Sequence, residues 1–297
     1  MVQLDVPEVD YTRYSNRQLA AVPLAVLGVA LLVLLVWSLF VTGTPSHPGA
    51  PVKPGIEFTG GLELQVETTA SPDQIRTAFD RQVESVQPIR SDPNNYIVTF
   101  QAGDDQVEAS AIQQQAEQAG YDVVSLQERS ASFGDQTQQL ALAGIAAAFV
   151  GMSVVVFLLF RTFVPSIAVV VSAFADIVIP LALMDVFGIE LSLGAVAALL
   201  MLIGYSVDSD ILLTNHVLRR RGGFYESVHR AMQTGVTMTL TSLAAMAVMA
   251  VVAYLFGIPL LPAIGTVLVF GLTADLMNTY MLNLSLLRWY KYEGVAR

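Results

Sequence analysis

Helix-length apolar stretches dominate the chain. A membrane-spanning helix needs roughly 20 mostly apolar residues, and six segments supply that: residues 19–41, 140–160, 164–187, 191–214, 236–256 and 260–287. The first carries no charge, is too long for a signal peptide and lacks a small-residue cleavage pattern, so it reads as a retained helix. Six crossings put both termini on one side. Trp289, Tyr290 and Tyr292 fall at one predicted interface and Trp37 near the other, where amphipathic rings are favoured.

Residues 42–137 follow a different pattern, that of a soluble domain entered through a linker with Pro45, Pro48, Gly49, Pro51, Pro54 and Gly55. Leu62, Leu64 and Val66 alternate with polar neighbours, which predicts a strand buried on one face. Ser71 caps a helix with Pro72 at its first position and Ile75, Phe79 and Val83 on one stripe. Strands over 86–90 and 96–101 are joined by a turn-rich connection. A second helix over 104–118 ends at Gly120, and a last strand covers 121–127. The order strand, helix, strand, strand, helix, strand is that of a ferredoxin-like (βαββαβ) α+β unit. The expected fold class is therefore a polytopic α-helical membrane protein with six transmembrane helices and this one extracytoplasmic domain between helices 1 and 2. The expected boundaries are 1–18 cytoplasmic, 19–41 first helix, 42–137 outer domain, 138–288 helices 2–6, and 289–297 cytoplasmic.

Basic residues set the orientation. Arg13, Arg17, Arg161, Arg219, Arg220, Arg221, Arg230, Arg288, Lys291 and Arg297 all fall on one side of this layout, and the short loops opposite carry no Lys or Arg. That side is expected to be cytoplasmic, which makes the chain a multi-pass protein of the cytoplasmic membrane with both termini inside.

Composition narrows the chemistry. Hydrophobic residues make up 54% and charged residues 13% of the chain, outside the usual soluble range. There is no cysteine, and His47, His216 and His229 are far apart, so thiolate, zinc and metal chemistry are not expected. A net charge of -10 argues against nucleic-acid binding, which needs a concentrated basic face. Fourteen acidic residues in 42–137 stand against five basic ones, nine net negative charges; they suit a solvated surface, or else a docking face for a basic partner. High acidity with arginine far above lysine resembles the composition of proteins from high-salt organisms.

Four carboxylates, Asp176, Asp208, Asp210 and Asp275, fall inside predicted spans, where each costs about 2.5–3.5 kcal/mol to insert. With no Lys or Arg in the predicted spans, desolvation and mutual repulsion favour a carboxyl that takes up and releases a proton during a conformational cycle. Asp208 and Asp210 lie about 200° apart around a helix. Ser206, Asp210 and Thr214 share one face; Gly204 and Asp208 share another. Asp208 with Asp176 is the expected working pair, while Asp210, near a helix end, could be merely hydrated. Asp185 and Glu190 are expected at the outer interface. Ala143, Ala147 and Gly151, and Ala245, Met249 and Ala253, are spaced for helix contact.

Several stretches together resemble the SecF family of the SecDF protein-export complex, within the resistance-nodulation-division superfamily. Gly55-Ile56-Glu57-Phe58-Thr59-Gly60-Gly61 resembles that family's G-I-D-F-T-G-G element, with Glu57 in place of Asp. Ile203-Gly204-Tyr205-Ser206-Val207 resembles its I-G-Y-S-[VIL], and the Asp176 position and residues 233–242 are also similar. Where bacterial SecF continues N-D-T, this chain has Asp208-Ser209-Asp210, closer to the D-A-N of SecD, which leaves the coupling Asp ambiguous. The resemblance implies partnership with SecD and a SecYE-type channel, unfolded secretory chains as clients, a proton or sodium gradient as the drive, and neither catalysis nor a cofactor. A half-size transporter of small molecules or lipids is the alternative. Paired membrane aspartates also occur in intramembrane hydrolases, but Gly204 to Asp208 does not match their G-x-G-D element.

Overall fold

The computed structural model describes residues 9–41, 49–89, 92–101, 109–129, 131–219, 223–256, 258 and 260–294. Among these are six helices long and apolar enough to cross a membrane, Asn16–Val41, Gln136–Phe160, Phe163–Phe187, Leu193–Leu218, Phe224–Leu255 and Leu261–Tyr292. They are built from α1 (Asn16–Val36, continued by a π-helical turn Trp37–Val41), α5 (Ala131–Phe160), α6 (Phe163–Phe187), α7 (Leu193–Arg219), α8 (Phe224–Leu255) and α9 (Leu261–Met277). The last crossing continues through a π-helical stretch, Asn278–Asn283, into α10 (Leu284–Tyr292). Helices α5 and α8 start earlier than hydropathy predicts, because a helix needs no apolar residue where it emerges from the bilayer.

Burial ranks the helices. Two thirds of the apolar window of α6 is buried (67%), against 6% for α5 and 11% for α8. Helix α6 is thus central, packed among α1, α7 and α9, with a core of Leu34, Ala175, Met184, Leu199, Leu202 and Val267. Close approach is made by glycines: a Cβ on Gly271 would lie 2.2 Å from Leu202, and one on Gly265 2.8 Å from Ala250. The stripe Ala143, Ala147 and Gly151 expected to make such contacts instead faces outward, and Ala245 is also exposed. Spacing revealed the stripe but not which way it points.

The unit between α1 and α5 opens with a short helix, α2 (Ile56–Thr59), followed by β1 (Gly61–Glu67), α3 (Pro72–Thr77), β2 (Ser85–Pro88), β3 (Asn95–Gln101), α4 (Ala109–Gln118) and β4 (Asp122–Arg129). The sheet order is β2-β3-β1-β4 with every pairing antiparallel. Leu62, Leu64 and Val66 point to one face and are fully buried with Val98 and Phe100 against Ile75, Phe79, Ile112 and Ala116. Ser71 caps α3 reciprocally with Gln74, and Pro72 occupies its first turn. The helix stops at Thr77, earlier than the apolar stripe suggests; Phe79 and Val83 join the core from the following turn. The start of the expected second helix, residues 104–108, and the first part of the linker, residues 42–48, lie outside the described residues.

Contacts at two places among the described residues help to seat the unit on the bundle. At one, Gly55 N–H donates to the Leu191 carbonyl and Leu191 N–H to the Lys53 carbonyl, both at 2.8 Å, while the Lys53 ammonium pairs with Glu84 of the unit (2.5 Å) and Glu190 of the α6–α7 loop (2.9 Å). At the other, α2 lies so close to the first turn of α5 that a Cβ on Gly134 would come within 2.5 Å of the Phe58 carbonyl. A cavity of about 380 Å³ separates the second sheet face from the helix ends, lined by Glu63 and Thr99 above and Glu190 and Thr266 below.

Candidate functional site

Three buried carboxylates from three helices form the centre of the bundle. Asp176 of α6 and Asp275 of α9 are each 1% exposed and Asp210 of α7 is 0% exposed. Helical spacing delivers the neighbours: Ser172 lies one turn before Asp176, Ser206 and Thr214 one turn either side of Asp210, and Thr279 one turn after Asp275. In the π-helical stretch, hydrogen bonds run from i to i+5, so Asn278 and Asn283 lie about one turn apart and both amides face inward.

The hydrogen bonds are dense. Asp176 accepts from Ser206 Oγ (2.5 Å) and Asn278 Nδ2 (2.6 Å). Asp210 Oδ1 accepts from Asn283 Nδ2 (2.7 Å) and Thr279 Oγ1 (2.8 Å). Asp275 Oδ1 accepts from Ser209 Oγ (2.7 Å) and lies 3.2 Å from the same Thr279 hydroxyl. Thr279 therefore stands between two carboxyls with one hydrogen to give. None of the ion pairs among the described residues reaches the centre.

The expected pairing of Asp208 with Asp176 is not made within this chain. Asp208 is exposed, on a stripe with Ala197, Met201 and Gly204 along the open side of α7. The division of α7 into two polar faces follows its spacing, but it is the Ser206–Asp210–Thr214 face that turns inward. Asp210 is not at a hydrated helix end; it is enclosed. Tyr205 is half-buried, its hydroxyl donating to Thr239 Oγ1 of α8 at 3.3 Å. Asp185, expected at the interface, is 3% exposed beneath the Lys53 segment, whereas Glu190 is on the surface in its ion pair.

Sequence reasoning passed over Ser172, Ser209, Asn278, Thr279 and Asn283. The signal was present: Asp275, Thr279 and Asn283 recur every four residues in an otherwise apolar span.

The second conspicuous sequence element, Phe58 to Gly61, lies far from these carboxylates, at the seat of the α+β unit. Phe58 is 3% exposed. Thr59 Oγ1 donates to the Gly55 carbonyl (3.2 Å) or the Gly60 carbonyl (3.1 Å). Gly60 (φ 73°) and Gly61 (φ 148°) turn the chain from α2 into β1 through conformations that a Cβ would strain.

Comparison with known proteins agrees with the layout. Residues 108–293 match the family model of the protein export membrane protein SecD/SecF, C-terminal. The chain is 66% identical to the SecF protein-export membrane protein of Haloferax volcanii and 64% to that of Haloquadratum walsbyi, in each case over the whole of both chains. It is 38% identical to the SecF of Pyrococcus furiosus, over 94% of this chain and 93% of the other. Among solved structures, the SecDF of Thermus thermophilus, a translocon-associated membrane protein, superposes with a TM-score of 0.71 at 17% identity over 98% of this chain. The chain spans 40% of the length of that SecDF chain. From these relatives, the chain belongs to the SecF family of protein-export membrane proteins.

Proposed function

We propose that the chain works with SecD beside a SecYE-type channel, assisting the passage of unfolded secretory chains across the cytoplasmic membrane. The drive is an ion gradient, proton or sodium, acting through Asp176, Asp210 and Asp275. The role is transport rather than catalysis. Both termini face the cytoplasm, the domain boundaries are those read from the sequence, and the acidic outer unit, classed as ferredoxin-like, lies outside.

One observation carries this reading: three carboxylates from three different helices, wholly buried, with no basic side chain among the described residues paired to them. Such an arrangement is stable only if the carboxyls are neutralised, and the neutralising ion changes how α6, α7 and α9 are held together. The Thr279 hydroxyl can donate to Asp210 or to Asp275 but not to both, so occupancy at one carboxyl is felt at the other. Moving one charge through 100 mV supplies about 2.3 kcal/mol, enough to bias a modest helix rearrangement. The outer unit, seated on α5 and on the α6–α7 loop, would move with it.

Partnership is supported by the open side of α7. Asp208 lies within a span yet faces away from the bundle, and a carboxylate facing lipid costs about 2.5–3.5 kcal/mol. A neighbouring subunit that covers the stripe from Ala197 to Asp208 removes that cost.

The test is pulse-chase export of a secreted reporter in cells carrying Asp210→Asn or Asp176→Asn at normal protein level. Each is expected to slow export severalfold while SecD still copurifies. Unchanged export in both would reduce the carboxylates to packing. Asp208→Asn is expected instead to weaken recovery of SecD.

A further inference from the structure

Beside the start of α1 lies a groove of about 630 Å³, with Tyr11, Tyr14, Gln18, Ala21, Val22 and Met281 in its walls. One face of α1, with Leu19, Pro23, Leu27, Ala30 and Leu34, is buried in the bundle. The groove opens on the other side, where Tyr14 and Val22 are exposed.

The segment that forms its upper wall is pinned. Arg288 of α10 donates through Nε to Asn16 Oδ1, through Nη1 to the Tyr11 carbonyl (2.9 Å) and through Nη2 to the Tyr14 carbonyl (2.7 Å). Tyr11 is buried, and its hydroxyl donates to Met232 of α8 at 3.4 Å. The residues before α1 are thereby held against two other crossings, and the groove they line keeps its shape.

The polar groups at its mouth offer hydrogens. Gln18 commits its carbonyl oxygen to the Ser15 N–H in the helix cap (2.8 Å), which leaves the amide nitrogen as a donor. Tyr14 adds a hydroxyl. Arg17 stands one turn before Ala21 on α1, exposed, with neither a hydrogen bond nor an ion pair among the described residues. Arg13, by contrast, is paired with Asp10. Among the described residues lining the groove there is no Asp or Glu. A guanidinium flanked by neutral donors and free of carboxylates suits a phosphate.

From the mouth, an apolar track follows the exposed face of α1. Its floor is small, Ala21, Ala25 and Gly28, all exposed, and a Cβ on Gly28 would meet nothing within 4 Å. Val22 and Val29 flank it on one side and Leu24 on the other. Further along the same face the exposed residues become bulky, Leu32 and Leu35. The rise from Gln18 to Val29 is about 16 Å, close to half of the roughly 30 Å hydrocarbon thickness. The track is therefore as deep as one leaflet.

We infer that this groove binds one anionic phospholipid, with its phosphate at Arg17, Gln18 and Tyr14 and one chain along Ala21, Ala25 and Gly28. Charge at the mouth and track length together select a lipid of the leaflet on the side of the chain termini. The site would hold that lipid whether or not export is ion-driven.

The experiment uses the full chain reconstituted with its SecD partner in phosphatidylcholine nanodiscs that contain a trace of phosphatidylglycerol with a photoreactive acyl chain. Labelled peptides are located by mass spectrometry. Label is expected between Tyr14 and Val29 and at Met281, displaced by unlabelled phosphatidylglycerol but not by inorganic phosphate. Arg17→Gln is expected to weaken labelling by subsaturating probe about fivefold, and Arg17→Lys to retain most of it. Ala21→Trp fills the track from an exposed position and is expected to abolish labelling there. Equal labelling by a phosphatidylcholine probe with the same chain would mean ordinary surrounding lipid and overturns the proposal. Displacement by inorganic phosphate overturns the lipid assignment. An unlabelled α1 face would mean that protein, SecD or a second copy, covers the groove, and overturns it too. Unchanged labelling in both Arg17→Gln and Ala21→Trp has the same consequence.

Discussion

At the scale of the residue, Asp176 depends on two neighbours. Ser206 and Asn278 are its hydrogen-bond donors among the described residues, and both contacts are short and fully enclosed. Ser206→Ala removes one donor and leaves a buried acceptor lone pair unmet, which costs about 1–3 kcal/mol. The expected result is a loss of that size in chemical unfolding in detergent. The loss should shrink in an Asp176→Asn background, because the pair then no longer joins a hydroxyl to a carboxylate. An equal loss in both backgrounds would mean that Ser206 acts through helix packing. Ser206 was legible in the sequence because it falls four residues before Asp210; that it serves Asp176 on another helix was not, since helix rotation follows from packing rather than local spacing.

At the scale of the element, one joint between the α+β unit and the helical bundle is made where α2 meets the start of α5. Gly60 and Gly61 turn the chain at positive φ, and Gly134 lets the α2 backbone approach. Gly134→Ala would place a methyl 2.5 Å from the Phe58 carbonyl and 2.8 Å from its carbon. Backbone cannot yield as a side-chain tip can, so the seat must open; overpacking of this kind costs about 1–3 kcal/mol. Faster protease cleavage of the α+β unit, with the membrane helices still folded, is the expected outcome. Gly151→Ala is the control, since nothing lies within 4 Å of its Cβ position. Sequence spacing made Gly151 and its alanine stripe conspicuous and gave no hint of Gly134, because a close approach between distant segments leaves no local periodicity.

At the scale of the whole molecule, Lys53 ties the α+β unit to the bundle through Glu84 and Glu190. Glu84 first, and Glu190 with it, hold the Lys53 ammonium above the ordinary lysine value of 10.5, against a smaller opposing effect of burial. The sign follows: a raised value in the folded state means that the tie is complete below 10.5 and is lost as pH rises through the folded value. Amide exchange in the segment around Lys53 and Glu190 should accelerate over that alkaline window. Lys53→Met should show the faster exchange already at neutral pH and no further step. Because the lysine is 42% exposed, high salt should loosen the tie in part. An unchanged exchange rate in Lys53→Met would assign this side of the seat to the backbone pairing of Gly55 and Leu191 rather than to the ion pairs.

The sequence by itself determined what depends on local pattern. The six helices long and apolar enough to cross a membrane follow from long apolar runs, the strands and helices of the α+β unit from alternation and capping, and the presence of costly carboxylates from their position in those runs. Family motifs added a resemblance that the relatives then made firm. The tertiary structure decided which carboxylates meet. Asp208 and Asp210 are equivalent by composition and nearly so by depth, and only the packing of α7 against α6 and α9 encloses one and leaves the other on the open side. It also decided that Asn278, Thr279 and Asn283 complete the centre, because the π-helical stretch that turns both amides inward has no signature in hydropathy. Local sequence fixes the period of a helix; its rotation is set by which face finds the densest contact with its neighbours.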